Sequence, residues 1–90
     1  MTNKIKILIG DDSAQYGVAC ASSLRAMGFC VITRHKDGLT IYDASKNEQP
    51  DVVIADAVLP SLDAIELIRK IQHSSYQNPL FILTSAYENS

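Results

Sequence analysis

Apolar residues gather in four short blocks along this chain, with stretches of helical periodicity between them. The blocks are Ile5-Lys6-Ile7-Leu8-Ile9, Cys30-Val31-Ile32-Thr33, Val52-Val53-Ile54-Ala55 and Leu80-Phe81-Ile82-Leu83. Short runs rich in β-branched residues fit strands buried on both faces, as in a parallel sheet. After the first block, Gly10 permits a sharp exit, and Asp12 or Ser13 can cap the helix that follows. That helix is expected from Ala14 to Met27, with Gly17, Cys20, Leu24 and Met27 on one face and Gly28 as its stop. It carries a single charge, Arg25, so its outer face is either a contact surface for another helix or a chance of composition. His35 to Gly38 forms a turn, Leu39 to Ser45 a short helix with Leu39 and Tyr42 inward, and Lys46 to Pro50 a polar loop. Asp63 and Glu66 have capping-box spacing for a third helix. Its inner face is read as Ile65, Ile68 and Ile71, its outer face as Glu66, Arg69 and Lys70, with fraying near His73-Ser74-Ser75. The β–α–β–α–β alternation implies a parallel sheet with right-handed crossovers.

Ninety residues make one domain, and an apolar fraction of 47% supports a globular core. With a net charge of −2 and no cluster of Lys or Arg, these residues carry no electrostatic footprint for nucleic acid. The opening apolar run is too short for a signal peptide or membrane span, which leads to the expectation of a soluble, cytoplasmic chain without membrane contact. Cys20 and Cys30 have neither zinc-type nor redox-motif spacing. They are expected as buried free thiols, with a bridge between them left open. His35 and His73 sit at element ends and read as surface histidines.

The chemistry lies where the strands end. Asp11 and Asp12 follow the first, Asp56 the third, and Thr84 the fourth. Open α/β sheets place ligands at these carboxyl ends. Taken singly, each residue has an ordinary role: a helix cap, a loop aspartate, a strand-end threonine. If the first and third strands are neighbours, however, three carboxylates converge, which is unfavourable unless a cation or a proton neutralises them. A hard cation with oxygen ligands is the natural solution, and Mg²⁺ leaves room for phosphate oxygens. Phosphoryl transfer needs mainly positioning and charge neutralisation, and a carboxylate can serve as its nucleophile. Asp56 takes that role here, Asp11 and Asp12 the metal, and the Thr84 hydroxyl a phosphoryl oxygen.

These residues, together with Leu59-Pro60, Asp63 and Ser85, resemble the receiver domain of bacterial two-component response regulators over the whole chain. Ile5 to Ser13 and Pro50 to Asp63 also look like receivers of the stage 0 sporulation protein A type. The resemblance implies an α/β, doubly wound parallel sheet of flavodoxin-like or CheY-like order 2-1-3-4. It makes residues 1–90 a partial receiver domain lacking the fifth strand and fifth helix. It further implies that Asp56 accepts a phosphoryl group from a histidine kinase or histidine phosphotransferase. Asp12, Asp56 and the backbone carbonyl of Val58 would bind Mg²⁺, with Asp11 acting directly or through water. Thr84 would be the switch residue, with Ser85 as the small residue beside it, and transcription would be the regulated output of the parent protein. Two departures stand out. Ala64 replaces the usual glycine, and the lysine expected to pair with the phosphate is missing along with the fifth strand. No lysine is assigned to that role, Lys70 belonging to the third helix, so phosphorylation is expected to be slow.

Three function classes follow: a phosphoacceptor signalling module, a receiver-fold interaction fragment that is not phosphorylated, and a Mg²⁺-dependent phosphohydrolase. The last is disfavoured because the best-known such family has Asp-x-Asp after its first strand, whereas Asp11 and Asp12 are adjacent. The chain is thus read as a phosphoacceptor rather than an enzyme. An open edge on the fourth strand predicts self-association, by pairing or by swapping elements. Sedimentation at high concentration checks this, and a stable monomer there contradicts it.

Overall fold

Each of the four apolar blocks becomes a strand in the computed structural model, which describes residues 4–74 and 78–84. The strands are β1 (Lys6–Gly10), β2 (Cys30–Thr33), β3 (Val52–Asp56) and β4 (Leu80–Thr84). They form one parallel sheet of order β2-β1-β3-β4. Between them lie a π-helical turn (Ala14–Val18) continuing into α1 (Ala19–Ala26), then α2 (Gly38–Glu48) and α3 (Ala64–Ser74). The order places β1 and β3 side by side at the centre, as the resemblance implies.

Side chains alternate across a strand, so one sheet supplies two cores. On one face Leu8, Val53 and Ala55 pack with Ile41 and Ala44 of α2, Leu59, and Leu67 and Ile71 of α3. On the other, Ile7, Ile9 and Val31 pack with Ala21 of α1, flanked by Leu24 and Phe29. The central strands are therefore covered on both sides, which is why their sequences are apolar without alternation. Leu8, Ile41, Val53, Leu67 and Ile71 are the largest fully buried side chains. Each contributes on the order of 1.5–3 kcal/mol by leaving water.

The helices begin and end largely where the sequence signals stand, but their inward faces differ. On the first helical segment the buried positions are Gly17 and Ala21, with Leu24 half-buried, while Cys20 and Met27 face solvent. Gly17 sets this rotation: its α-carbon lies against the Asp11 backbone, leaving no room for a Cβ. The Val18 N–H donates to the Ser13 carbonyl (2.9 Å), five residues back, which closes the wide π turn. Ser13 supplies the cap, its Oγ accepting from the Tyr16 N–H at 3.3 Å. At the other end Gly28 takes φ 100°, its N–H donating to Arg25 O and that of Phe29 to Leu24 O, a Schellman stop.

In α2 the inward residues are Ile41, Ala44 and Ser45, whereas Leu39 is exposed and Tyr42 half-buried. Asp37 caps the helix, so it starts at Gly38 and runs on through Asn47 and Glu48. The polar stretch expected as loop is thus mostly the last turn of α2, ended by Gln49 at φ 47°. In α3 the buried stripe is Ala64, Leu67 and Ile71, with Ile68 at its border and Ile65 exposed. A strict three-residue repeat drifts round a helix of 3.6 residues per turn, which carries Ile65 about 120° away from Ile71. Tyr42 lies between the ammonium groups of Lys46 (5.3 Å) and Lys70 (5.2 Å), joining the outer surfaces of α2 and α3.

Two further expectations are corrected. Cys20 and Cys30 are free but exposed rather than buried, and the bridge left open is not formed. Leu80, Ile82, Leu83 and Thr84 are exposed and Phe81 is half-buried, so β4 is not the buried strand expected, although it lies at the sheet edge as the open-edge expectation has it. Among the described residues no helix is long and apolar enough to cross a membrane. Because Gly17 fixes the π turn against the Asp11 backbone, Gly17→Ala is expected to cost about 1–3 kcal/mol through overpacking. A urea midpoint equal to that of the parent chain contradicts this.

Candidate functional site

The parallel register pairs Gly10 with Ala55 and Asp56 with Thr84. Asp11 therefore leaves the sheet next to Asp56, and Thr84 stands on the other side of it. Asp56 ends β3 with its side chain only 12% exposed. One carboxylate oxygen, Oδ1, accepts the Val58 N–H at 2.9 Å. The other, Oδ2, lies 2.8 Å from the ammonium of Lys36, whose side chain is 38% exposed. Both oxygens are thus engaged by donors that favour the charged form. The Lys36 hydrogen bond and then that of Val58 hold the Asp56 carboxyl below the ordinary carboxylate range, against the opposing effect of its partial burial. Reciprocally, the Asp56 hydrogen bond raises the Lys36 ammonium above its ordinary value, with a smaller attraction from Asp11.

The remaining acidic groups are held separately. Asp11 Oδ1 accepts the Ser13 N–H at 2.8 Å, shaping the exit from β1. Asp12 Oδ1 lies 3.5 Å from His35 Nδ1 on the exposed rim. Thr84 Oγ1 donates to the Ala55 carbonyl at 3.4 Å, and its own carbonyl accepts the Ala57 N–H at 2.9 Å. The structure therefore brings Asp11, Asp56 and Thr84 to one sheet edge with Asp12 beside them, while the Thr84 hydroxyl points at backbone. Ser85 lies outside the described residues. Lys70 stands over the Tyr42 ring, in keeping with its exclusion from the site.

Lys36 is the residue that the sequence reading overlooked. It follows β2, which is separated from β3 by β1, a distance of roughly 10 Å between strand axes. The loop crosses that distance because it is fastened to the segment following β3. The Gly38 N–H donates to the Pro60 carbonyl (3.0 Å), and Ser61 Oγ donates to Asp37 Oδ1 (3.0 Å). Asp37 Oδ1 also accepts the N–H groups of Leu39 (3.0 Å) and Thr40 (3.1 Å), capping α2. Gly38 is required there, since a Cβ would collide with the carbonyl of Leu62. Ser61 holds its position at φ 65°, in the left-handed region. The Thr40 N–H, then the Ser61 hydroxyl, keep the Asp37 carboxyl below its ordinary value. The only sequence signal for this arrangement is the Lys36-Asp37-Gly38 run itself, whose Asp-Gly pair marks a turn with a cap.

Among the described residues, no three His, Cys, Asp or Glu side chains are drawn together into a ready cage for a metal. The donor set nevertheless fits a hard cation. The acidic groups at the tips of β1 and β3 are oxygen donors, Asp56 is ionised, and the site opens to water. Mg²⁺ needs only one or two carboxylates and keeps several waters, so it does not require a closed cage.

The parallel α/β sheet thus carries an ionised aspartate at the tip of its central strand, flanked by further carboxylates and a threonine. The family model for the response regulator receiver domain matches residues 7–90, and the chain belongs to that family. It is 31% identical over 83 residues to the alkaline phosphatase synthesis transcriptional regulatory protein PhoP of Bacillus subtilis, covering 92% of this chain and 34% of that protein. It is 28% identical over 81 residues to the response regulator MprA of Mycobacterium tuberculosis, covering 90% and 35% respectively. The chain thus spans about a third of the length of these relatives. The response regulator domain of Thermotoga maritima CheB superposes with a TM-score of 0.80 at 26% identity, over 93% of this chain and 62% of that one. The receiver domain of a Pseudomonas aeruginosa sensor histidine kinase, with a magnesium ion in its active-site cleft, superposes with a TM-score of 0.74 at 23% identity, over 90% and 66%. The protein is a receiver of the two-component type whose relatives include transcription regulators. The narrower likeness to the stage 0 sporulation protein A type stays an expectation from sequence.

Folding lowers the Asp56 and Asp37 pKa values, so the stabilisation they give is present above the unfolded-state value of about 4. It is lost as pH falls through the lower, folded values. The urea midpoint is therefore expected to drop below about pH 4, and less steeply in Asp56→Asn than in the parent chain. An equally steep acid limb in the variant contradicts the assignment.

Proposed function

We propose that the chain is the phosphoacceptor module of a response regulator and that Asp56 receives the phosphoryl group. The observation that carries this reading is the state of Asp56: ionised, largely shielded, and held at both oxygens on the tip of the central strand. A carboxylate so fixed is an oriented nucleophile, and orientation and charge neutralisation are most of what phosphoryl transfer asks of a protein.

The donor is the phosphohistidine of a histidine kinase or histidine phosphotransferase, the partner class of the two-component family. An Asp56 oxygen bonds to phosphorus as the phosphorus–nitrogen bond breaks, and the electron pair stays with the donor imidazole. Asp11, Asp12, Asp56 and the Val58 carbonyl would hold Mg²⁺, which supplies charge neutralisation at the phosphoryl oxygens. The magnesium-bearing receiver of similar fold supports this choice of cation. Thr84 is the switch residue in this reading. Its pairing with Asp56 across the β3–β4 ladder supports this, as does a hydroxyl that, among the described residues, bonds only to the Ala55 carbonyl at 3.4 Å. In the parent protein the output is transcription, in line with PhoP, and the compartment is the cytoplasm. Self-association through the exposed outer strand β4 is part of the same proposal.

Incubation with acetyl phosphate and Mg²⁺ is expected to yield one phosphoryl adduct by intact mass, absent in Asp56→Asn and suppressed by a chelator. Thr84→Ala is expected to keep the adduct. A folded parent chain that forms no adduct refutes the phosphoacceptor reading and leaves the interaction-fragment class. Continuous turnover of phosphate esters points instead to a phosphohydrolase.

A further inference from the structure

The loop after β2 is built as part of the site rather than as a surface connection. Its backbone is bonded to Pro60, its capping aspartate to Ser61, and Gly38 is pressed against Leu62, all in the segment that follows Asp56. The one cationic side chain this clamp delivers to Asp56 is Lys36, with Nζ 2.8 Å from Oδ2. The geometry points to Lys36 as a phosphoryl-binding residue, supplied from the β2–α2 loop. It balances the charge of Asp56 before transfer and donates to a phosphoryl oxygen afterwards. This rests on the phosphoacceptor reading given above.

The chemistry follows from the contact. Oδ1 accepts the Val58 N–H, and Oδ2 faces the ammonium, so a phosphoryl group joined to Asp56 lies within reach of Lys36. When an Asp56 oxygen forms its bond to phosphorus, the donor's leaving group departs with the electron pair of the broken bond. The carboxylate charge that held Lys36 is then replaced by the charge of the phosphoryl oxygens. The ammonium has three donors and a flexible stem, so it follows that charge over a short distance. A clamped loop limits the ordering that this requires. Lys36 would also oppose a divalent cation at the resting site, because both are drawn to the Asp56 charge. The two effects have opposite signs, and a lysine that only pairs with Asp56 at rest produces the first without the second.

The test compares the parent chain with Lys36→Met and Lys36→Arg, using calorimetric titration with Mg²⁺ alone and then with Mg²⁺ and beryllofluoride, a phosphoryl mimic. Lys36→Met is expected to bind Mg²⁺ about fivefold more tightly, the scale of a partly exposed ion pair. It is expected to bind beryllofluoride about tenfold more weakly, the scale of one charge-assisted hydrogen bond, with a parallel fall in the rate of acetyl phosphate labelling. Lys36→Arg keeps the charge and recovers much of the beryllofluoride affinity. If the parent chain takes both label and mimic while Lys36→Met binds beryllofluoride as tightly as the parent, the role of Lys36 is overturned whatever its Mg²⁺ affinity, and the phosphoacceptor reading stands. A folded parent chain that takes neither label nor mimic overturns both.

Discussion

Like charge at neighbouring strand tips is the constraint around which this domain is arranged. A parallel sheet aligns the carboxyl ends of its strands, so the β1–β3 register that buries Leu8 against Val53 also delivers Asp11 beside Asp56. Core packing and site chemistry are therefore fixed by one ladder, and slipping it by a residue would turn side chains to the wrong face as well as parting the carboxylates. Each acidic group has neighbours of its own: a backbone N–H for Asp11, the His35 imidazole at 3.5 Å for Asp12, an ammonium and a backbone N–H for Asp56. These partners are weakly committed, since most sit on loops open to water.

The loops that accomplish this are stiff where it matters. Gly17 locks the π turn to the Asp11 backbone, and Asp37 and Gly38 lock the β2–α2 loop to the segment after β3. Both devices are backbone contacts at glycine, joined to hydrogen bonds of short polar side chains. They lie at the carboxyl ends of the strands rather than within the hydrophobic layers. The Tyr42 contact with Lys46 and Lys70 joins α2 and α3 further out, beyond the core of Ile41, Leu67 and Ile71.

The strands, their order and the acidic residues at their tips were legible in the sequence, because apolar blocks of strand length carry their own signal and polar residues at their ends stand out. Inward helix faces were less legible. In α3 the isoleucines at 65, 68 and 71 suggested a stripe, yet the small residue Ala64 and Leu67 complete the true one with Ile71. Hydrophobic identity outweighed angular spacing in that reading. In the first helix the π turn and the contact at Gly17 decide the rotation, and neither has a local pattern. Lys36 was missed for a related reason: a lysine in a turn after an outer strand reads as solvated. Only the clamp between two loops, more than twenty residues apart in sequence, shows that it reaches across β1.

Ser61 shows what such a clamp demands of a single position. Its left-handed backbone, at φ 65°, would suit glycine, while its hydroxyl serves Asp37 and the Leu39 N–H. Glycine would relieve backbone strain of about 1 kcal/mol and forfeit both bonds, whereas alanine would keep the strain and lose them as well. Serine meets the hydrogen-bonding demand at a cost in backbone conformation. The residue is thus a compromise between ease of folding and fidelity of aim, and selection for either alone would be expected to move it in a different direction.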